Sequence, residues 1–329
     1  MTKTLKIIPR HQLNATAWDA CVAASPQRIL YGYSWYLDAV LLSPDWKWVG
    51  LVSIDEAGRY RAVMPVPLRR KRVAGIVSQW VVHQPFFCQF LDVFSLDESV
   101  DSTPFFQLMI ETFRYGSVYC TRQQFDKQPN STSIRKLTTH TLNLSSGYSA
   151  IYQNYSPNRK ANHRRAQREF RDNPNWEMLD SIDPEPLITL FRENHAGTID
   201  GSVADWAYDM FSMLLRELTK RGLATLRYAL HNGQIEAGAL FVQEGNRIIY
   251  LFNAASEIGR KANVRTLLID QLIQEKAGET FVLDFESPTK SSIRDFYQSF
   301  GAIEEPFWTM RWNRLTALER GLLRLKKRF

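Results

Sequence analysis

The chain has 329 residues, 44% of them hydrophobic, and a formal net charge of +7 at pH 7. This length is about twice that of a typical domain, and the composition excludes a disordered chain, so we expect two globular domains. The three cysteines are widely spaced, which suits reduced thiols better than a disulfide framework, and the mild basic charge is compatible with partners that carry phosphate.

The first half of the chain predicts helices followed by strands. The patterns "LNATAWDACVAAS" and "YSWYLDAVLLS" are helical, and "KWVGLVSI" and "RYRAVMPVPLRRK" indicate two strands joined by a glycine-containing turn. A helix, "TPFFQLMIETFRY", and two more strands, "VYCTRQQF" and "RKLTTHTLNLS", follow. We therefore expect residues 1–150 to form one mixed α/β domain.

A basic helix is predicted where the two halves join, in "YSPNRKANHRRAQREFR". Ser156 is a typical N-cap, Pro157 suits the first helical position, and "NPN" ends the helix. Lys160 and Arg164 share one face of this helix with Arg168. The pattern allows either a solvated connector or a clamp for phosphate groups.

The second half repeats the plan of helices followed by strands. Two helices precede the strands "LATLRYALHN", "IEAGALFVQEG" and "RIIYLFNAAS", which are separated by the hairpin turns "NGQ" and "EGN". A helix, "VRTLLIDQLIQEKAG", then leads to the strand "TFVLDF", the helix "SIRDFYQSFG" and a last strand. Strand, helix and strand at this spacing predict a crossover between parallel strands, "IIYLFNAA" and "FVLDF".

Two carboxylates at the end of the strand "TFVLDF" are candidates for catalysis. Because side chains alternate along a strand, we expect Asp284 and Glu286 to point to the same side. Open α/β sheets bind ligands at the carboxyl ends of their strands, where such a group can act as a general base. Tyr297 lies on the next helix, where its phenol can donate a proton. The alternative is structural: strand-end acids in salt bridges and a tyrosine in the core.

The stretch "IRDFYQSFGA" resembles the last helix and turn of the GCN5-related N-acetyltransferase (GNAT) fold. Together with "LDFESPTKSS" before it, the basic segment "NRKANHRRAQRE" and the N-terminal "VMPVPLRRKRVAGIVSQWVVHQPFFCQF", it resembles the FemAB-like proteins. The resemblance implies an α/β (mixed α+β) fold with two GNAT-like domains in tandem. Each is a mixed antiparallel and parallel sheet flanked by helices, with the first in residues 1–150 and the second, which carries the donor site, in residues 151–313.

The resemblance also implies an N-acyltransferase that uses acyl-CoA or aminoacyl-tRNA as co-substrate and an amine as acceptor. Tyr297 would protonate the leaving group, and Asp284 or Glu286 would accept the amine proton. The donor loop "SEIGRKANVRTLL" would hold phosphates through Gly259, Arg260, Lys261 and Asn263. It has Ala262 and Val264 where the family pattern has later glycines, which favours the alternative of a non-catalytic binding module.

The remaining predictions concern partners and location. Lys160, Arg164 and Arg165 would bind a small, phosphate-bearing amine acceptor or a tRNA, as in Fem-type tRNA-dependent aminoacyltransferases that act on peptidoglycan precursors. A basic, leucine-containing helix at residues 314–329 would dock on the first domain or lie on a membrane surface. We expect a cytoplasmic protein without a signal peptide, an integral membrane segment or a metal site.

Overall fold

The computed structural model describes residues 4–73, 77–97, 100–121, 132–195, 197, 203–287 and 290–316. The chain divides into two compact units. The first takes the described residues up to Leu137 and from Pro306 onward, and the second is Thr138–Glu305. These divisions fall inside two strands, whereas the sequence pattern placed the domain boundaries after residues 150 and 313.

The described residues form thirteen strands and ten α-helices. The strands are β1 (Thr4–Pro9), β2 (Trp46–Ile54), β3 (Tyr60–Val73), β4 (Val77–Val82), β5 (Phe94–Ser95), β6 (Tyr115–Cys120), β7 (Thr132–Asn143), β8 (Trp176–Ser181), β9 (Ala224–His231), β10 (Gln234–Glu244), β11 (Arg247–Ala255), β12 (Val282–Asp284) and β13 (Ile303–Asn313). The helices are α1 (Ala15–Ala23), α2 (Ser34–Val40), α3 (Thr103–Thr112), α4 (Tyr148–Gln153), α5 (Pro157–Asp172), α6 (Glu185–Asn194), α7 (Asp205–Lys220), α8 (Glu257–Lys261), α9 (Val264–Lys276) and α10 (Ser291–Gln298).

Each unit contains a mixed sheet. In the first unit the order β1-β2-β3-β4-β6-β13 is antiparallel, except for the parallel pair β4 and β6. In the second unit the order β8-β9-β10-β11-β12-β7 is antiparallel, except for the parallel pair β11 and β12. The predicted fold class, with a mixed sheet and flanking helices in each half, is therefore confirmed.

Local sequence explains one hairpin and the start of one helix in the second unit. The turn between β9 and β10 is Asn232-Gly233, with φ of 52° and 74°, which is the left-handed pair that a tight hairpin requires. Helix α5 begins as predicted, because the Ser156 side chain accepts a hydrogen bond from the Arg159 backbone N–H and Pro157 is the first helical residue. The helix ends at Asp172, just before the "NPN" stretch.

The C-terminal helix predicted for residues 314–329 falls outside the described residues from position 317 onward. Residues 314–316 belong to the first unit, where Leu315 is buried and the Arg314 backbone N–H donates to the Arg114 carbonyl at 2.7 Å. None of the described helices combines the length and the apolar character that crossing a bilayer requires.

Candidate active site

The pairing between the parallel strands of the second unit ends before β11 does. Strand β12 pairs with β11 from Val282, opposite Arg247, to Asp284, opposite Ile249, while β11 continues to Ala255. The predicted neighbourhood of these two strands is therefore confirmed. We call the region between residues 250–255 of β11 and residues 285–287, which follow β12, the wedge. Helices α9 and α10, which follow β11 and β12 in the chain, supply further side chains to it.

Asp284 and Glu286 do not share a strand face, so the alternation expected from the sequence is wrong. Strand β12 ends at Asp284, and Glu286 adopts a left-handed backbone conformation with φ of 44°. The Glu286 backbone N–H donates to the Asp284 carboxylate at 2.9 Å. This turn gives the two carboxyl groups separate environments.

Asp284 is fully buried in an ion pair. Its carboxylate lies 2.5 Å from Nη1 of Arg247 and accepts a hydrogen bond from the Thr139 hydroxyl at 3.1 Å. Burial raises the pKa of Asp284, and the Arg247 charge opposes that rise. A carboxylate held in this way stabilises the start of the wedge and is poorly placed to exchange protons with a substrate.

This ion pair gives a prediction about stability. Replacing Arg247 by methionine leaves the Asp284 carboxylate buried without its partner, so we expect the free energy of unfolding to fall by roughly 3–5 kcal/mol. Urea unfolding followed by circular dichroism measures it. The control Arg59→Met removes an exposed pair with Asp55 and should leave the urea midpoint nearly unchanged. An equally small change in both variants would show that the Arg247 pair contributes nothing.

Glu286 has a carboxyl oxygen that lacks any hydrogen-bond partner among the described residues. This oxygen, Oε1, is shielded from solvent, and burial raises the pKa of Glu286 to about 8. An unpaired buried acceptor costs roughly 1–3 kcal/mol, and perturbed carboxyl groups of this kind concentrate at functional sites. A carboxyl group with this pKa is mostly neutral at pH 7 and becomes a base in mildly alkaline solution.

Tyr297 is a buried residue of α10 that packs against Phe285 and Tyr250 of the wedge. Its ring stacks on Phe285 at a centroid distance of 4.7 Å and meets the Tyr250 ring edge-on at 6.1 Å. Burial raises the pKa of Tyr297 to about 12, and nearby Glu286 adds to the rise while Arg265 opposes it. The phenol therefore keeps its proton at physiological pH and can donate it.

Three further polar residues lie at the wedge that the sequence analysis did not identify. Arg265, in the first turn of α9, donates from Nη1 to Oδ1 of Asn253 at 3.1 Å. The Asn253 side chain opposes the rise in the pKa of Tyr297. The Tyr250 hydroxyl is buried and has no hydrogen-bond partner among the described residues. A signal for Asn253 was present, because it interrupts the apolar strand sequence "RIIYLFNAA".

The residues of the predicted donor loop make contacts with neighbouring parts of the chain. A Cβ atom on Gly259 would lie 2.2 Å from the Glu236 carbonyl oxygen, so helix packing alone explains the glycine. The Arg260 guanidinium donates to the Ala255 carbonyl at 2.7 Å, and Lys261 pairs with Glu257 at 2.6 Å. The loop's Asn263 has φ of 58° at the N-cap of α9, and its side chain makes no capping bond to the helix. Phosphate binding by these four residues stays a prediction.

Helix α5 has a buried side that the basic pattern did not distinguish. Arg159 donates to the hydroxyls of Ser299 and Thr266 at 2.8 and 2.6 Å and lies over the Phe296 ring at 4.2 Å. One turn later, Nε2 of His163 lies 2.9 Å from the Asp270 carboxylate. These contacts attach α5 to the core of the second unit.

The exposed side of α5 carries the remaining basic residues. Lys160 donates to the Gln153 carbonyl at 2.8 Å, and Arg165 is exposed. A surface groove on this side, which we call the arginine groove, is lined by Arg164, Gln167, Arg168 and Arg171. The structure therefore separates the three predicted acceptor residues and places only Arg164 in this groove.

Comparison with known proteins agrees with this fold. Residues 157–286 match the family model described as an acetyltransferase (GNAT) domain. No curated protein matches the sequence significantly. Among solved structures, the fold is similar to FemX, with a TM-score of 0.63 and 12% identity over 98% of this chain and 99% of that one.

Two other solved structures are similar over nearly their whole length. L-PGS from Bacillus licheniformis has a TM-score of 0.54 and 11% identity, covering 95% of this chain and 96% of that one. A tandem GNAT protein from the clavulanic acid biosynthesis pathway has a TM-score of 0.50 and 13% identity, covering 94% and 98%. At identities this low, the similarity shows a shared fold and does not show a shared function. Residues 157–286 therefore match a GNAT acetyltransferase domain, and the chain shares its fold with FemX, L-PGS and the tandem GNAT protein.

Proposed function

We propose that the protein is an N-acyltransferase that joins donor and amine acceptor in the wedge, with Glu286 as general base and Tyr297 as general acid. The observation that carries the proposal is the buried, unpaired Oε1 of Glu286, whose carboxyl group also raises the pKa of Tyr297. Geometry favours Glu286 over Asp284 as the base, because Arg247 already holds the Asp284 carboxylate.

The proposed transfer is direct and needs no covalent enzyme intermediate. The amine nitrogen attacks the acyl carbon, and its proton passes to the ionised Glu286 carboxylate. The bond from the acyl carbon to the leaving sulfur or oxygen then breaks, and the Tyr297 proton passes to the departing atom. Return of the proton from Glu286 to the tyrosinate restores the starting state.

Acyl-CoA is the first candidate donor. AcCoA is named in the description of the tandem GNAT neighbour, and the matched domain model is that of an acetyltransferase. Isothermal titration with acetyl-CoA tests this choice directly. Binding that is unchanged in Tyr297→Phe, accompanied by thiol release in the presence of an amine panel, would support it. No binding of either acetyl-CoA or tRNA would instead favour the non-catalytic binding module.

Aminoacyl-tRNA is the second candidate donor, and the arginine groove favours it. Three guanidinium groups in one groove form a site suited to a phosphate backbone, since arginine binds phosphate oxygens with paired N–H donors. No aromatic side chain lines the groove, so stacking of bases is not expected there. The contact would be electrostatic and independent of nucleotide sequence.

The arginine groove gives a prediction about tRNA. Changing Arg164, Arg168 and Arg171 together to alanine should weaken binding of bulk tRNA by about 10²-fold at low salt and reduce the salt slope of log K by about 2–3. Fluorescence anisotropy over a salt series measures both. The control changes Arg216, Lys220 and Arg221 on and just after α7 to alanine, which removes the same charge. Equal loss in both variants would mean that net charge, rather than this groove, attracts tRNA.

A further inference from the structure

Glu286 has a strained backbone conformation. Its φ of 44° lies in the left-handed region, which residues other than glycine rarely adopt. A strained residue of this kind persists only where surrounding contacts hold it, and such residues concentrate at functional sites. Because Oε1 of Glu286 has no hydrogen-bond partner among the described residues, the holding contacts are expected on the backbone and on the neighbouring side chains.

Thr139 of strand β7 supplies the first of these contacts. We call residues 284–287 the Glu286 turn. The Thr139 hydroxyl donates to Oδ1 of Asp284 at 3.1 Å and accepts a hydrogen bond from the Ser287 backbone N–H at 3.2 Å. The Glu286 backbone N–H donates to the same Oδ1 atom at 2.9 Å. One hydroxyl group therefore closes the turn, because it bonds to the residues at both ends of it.

His140, the next residue of β7, supplies two more contacts. Its carbonyl oxygen accepts a hydrogen bond from the Phe285 backbone N–H at 3.0 Å, and its Nδ1 lies 2.6 Å from the hydroxyl oxygen of Ser287. His140 and Ser287 are both buried, and burial lowers the pKa of His140, so the neutral ring can accept the hydroxyl proton. The backbone N–H groups of residues 285–287 are thus all bonded, whereas Oε1 of Glu286 is not.

We propose that Thr139 and His140 are positioning residues for the general base: by bonding to the Glu286 turn they hold Glu286 in its left-handed conformation and keep Oε1 of its carboxyl group shielded from solvent. The proposal rests on the base role of Glu286 given above. Neither residue needs to touch the substrate. Without these bonds the turn can relax to a more stable backbone conformation, in which the carboxyl group reaches water.

The test measures the pKa of Glu286 in the full chain without any substrate. Carboxyl carbon-13 NMR follows the titration, and the Glu286 signal is identified by its absence from Glu286→Gln. Burial raises this pKa to about 8 in the wild-type protein. Thr139→Val keeps the shape of the side chain but removes the hydroxyl, so we expect the pKa to fall by about 1 or more as the carboxyl group gains water. Thr139→Ser retains the hydroxyl and should keep the wild-type pKa.

A second variant leaves β7 intact. Ser287→Ala removes the hydrogen bond to His140, so the pKa of Glu286 should fall here too, and this variant decides the matter if Thr139→Val does not fold. The control Thr141→Val removes a buried hydroxyl of the same strand that has no hydrogen bond to the Glu286 turn among the described residues, and it should leave the pKa unchanged.

Three results would overturn the positioning role. They are an unchanged pKa in Ser287→Ala or in a folded Thr139→Val protein, an equal fall in the control Thr141→Val, and a wild-type pKa like that of an ordinary glutamate. The base role itself fails by a different result, namely a Glu286→Gln rate that stays in constant ratio to the wild-type rate as pH changes. The two failures are therefore distinguishable.

Discussion

Replacing Tyr297 by phenylalanine is expected to lower kcat by about 10²-fold, which is the low end of the usual contribution of a general acid. The phenylalanine ring keeps the stack on Phe285 and the edge contact with Tyr250, so only the hydroxyl is lost. The rate is measured as release of thiol from the acyl donor in the presence of an amine. Donor affinity should stay nearly the same, because the hydroxyl acts on the leaving group during bond cleavage.

The control for this variant is Tyr115→Phe. Tyr115 is an exposed tyrosine of β6 in the first unit, and its hydroxyl has no place in the proposed chemistry. Tyr115→Phe should turn over at the wild-type rate. If Tyr297→Phe does so as well, the leaving group departs without help from Tyr297, and the proposed mechanism loses its acid.

Replacing Glu286 by glutamine is expected to have an effect that depends on pH. Burial raises the pKa of Glu286 to about 8, so the wild-type base is mostly protonated at pH 6 and ionised above pH 8. The wild-type rate should therefore rise through pH 8, whereas Glu286→Gln should be lower by roughly 10²–10³-fold above that pH and closer to wild type at pH 6. A pH–rate profile of both proteins measures this. The same ratio of rates at pH 6 and pH 9 would exclude Glu286 as the base.

The raised pKa of Glu286 also makes the free energy of unfolding depend on pH. A buried carboxyl group that is neutral in the folded state and ionised in the unfolded state favours folding at low pH. Its contribution is complete below the ordinary pKa of glutamate, near 4.5, and is lost as pH rises through about 8. Glu286→Gln removes this dependence. Urea unfolding should show wild type losing stability relative to Glu286→Gln between pH 5 and pH 9, and a constant difference would contradict the raised pKa.

Local features of the fold could be predicted from the sequence because short stretches dictate them. The Asn-Gly hairpin needs two left-handed residues, and only a few residue types adopt that conformation. Ser156 and Pro157 start α5 through one side-chain hydrogen bond and one fixed dihedral angle. The parallel placement of β11 and β12 follows from the helix between them, because a crossover returns the chain in the same direction.

The candidate site could be predicted only in part. Tyr297 and Glu286 were identified from their place after β12 and in α10, and the structure brings both to the wedge. What the pattern could not distinguish was Glu286 from Asp284, two residues earlier. That distinction depends on where β12 ends and on Arg247, which is 37 positions away in the chain and pairs with Asp284 alone of the two.

The sequence by itself determined the succession of strands and helices, the start of α5 and the strand end where chemistry was expected. Only the tertiary structure decided that Gly259 serves packing against Glu236, that Arg159 faces the core, and that Arg265 on α9 donates a hydrogen bond to Asn253 on β11. The physical reason is the distance along the chain over which each interaction acts. Turns and caps form within a few residues, whereas burial, ion pairing and pKa depend on side chains that the fold gathers from β11, α9, α10 and the end of β12.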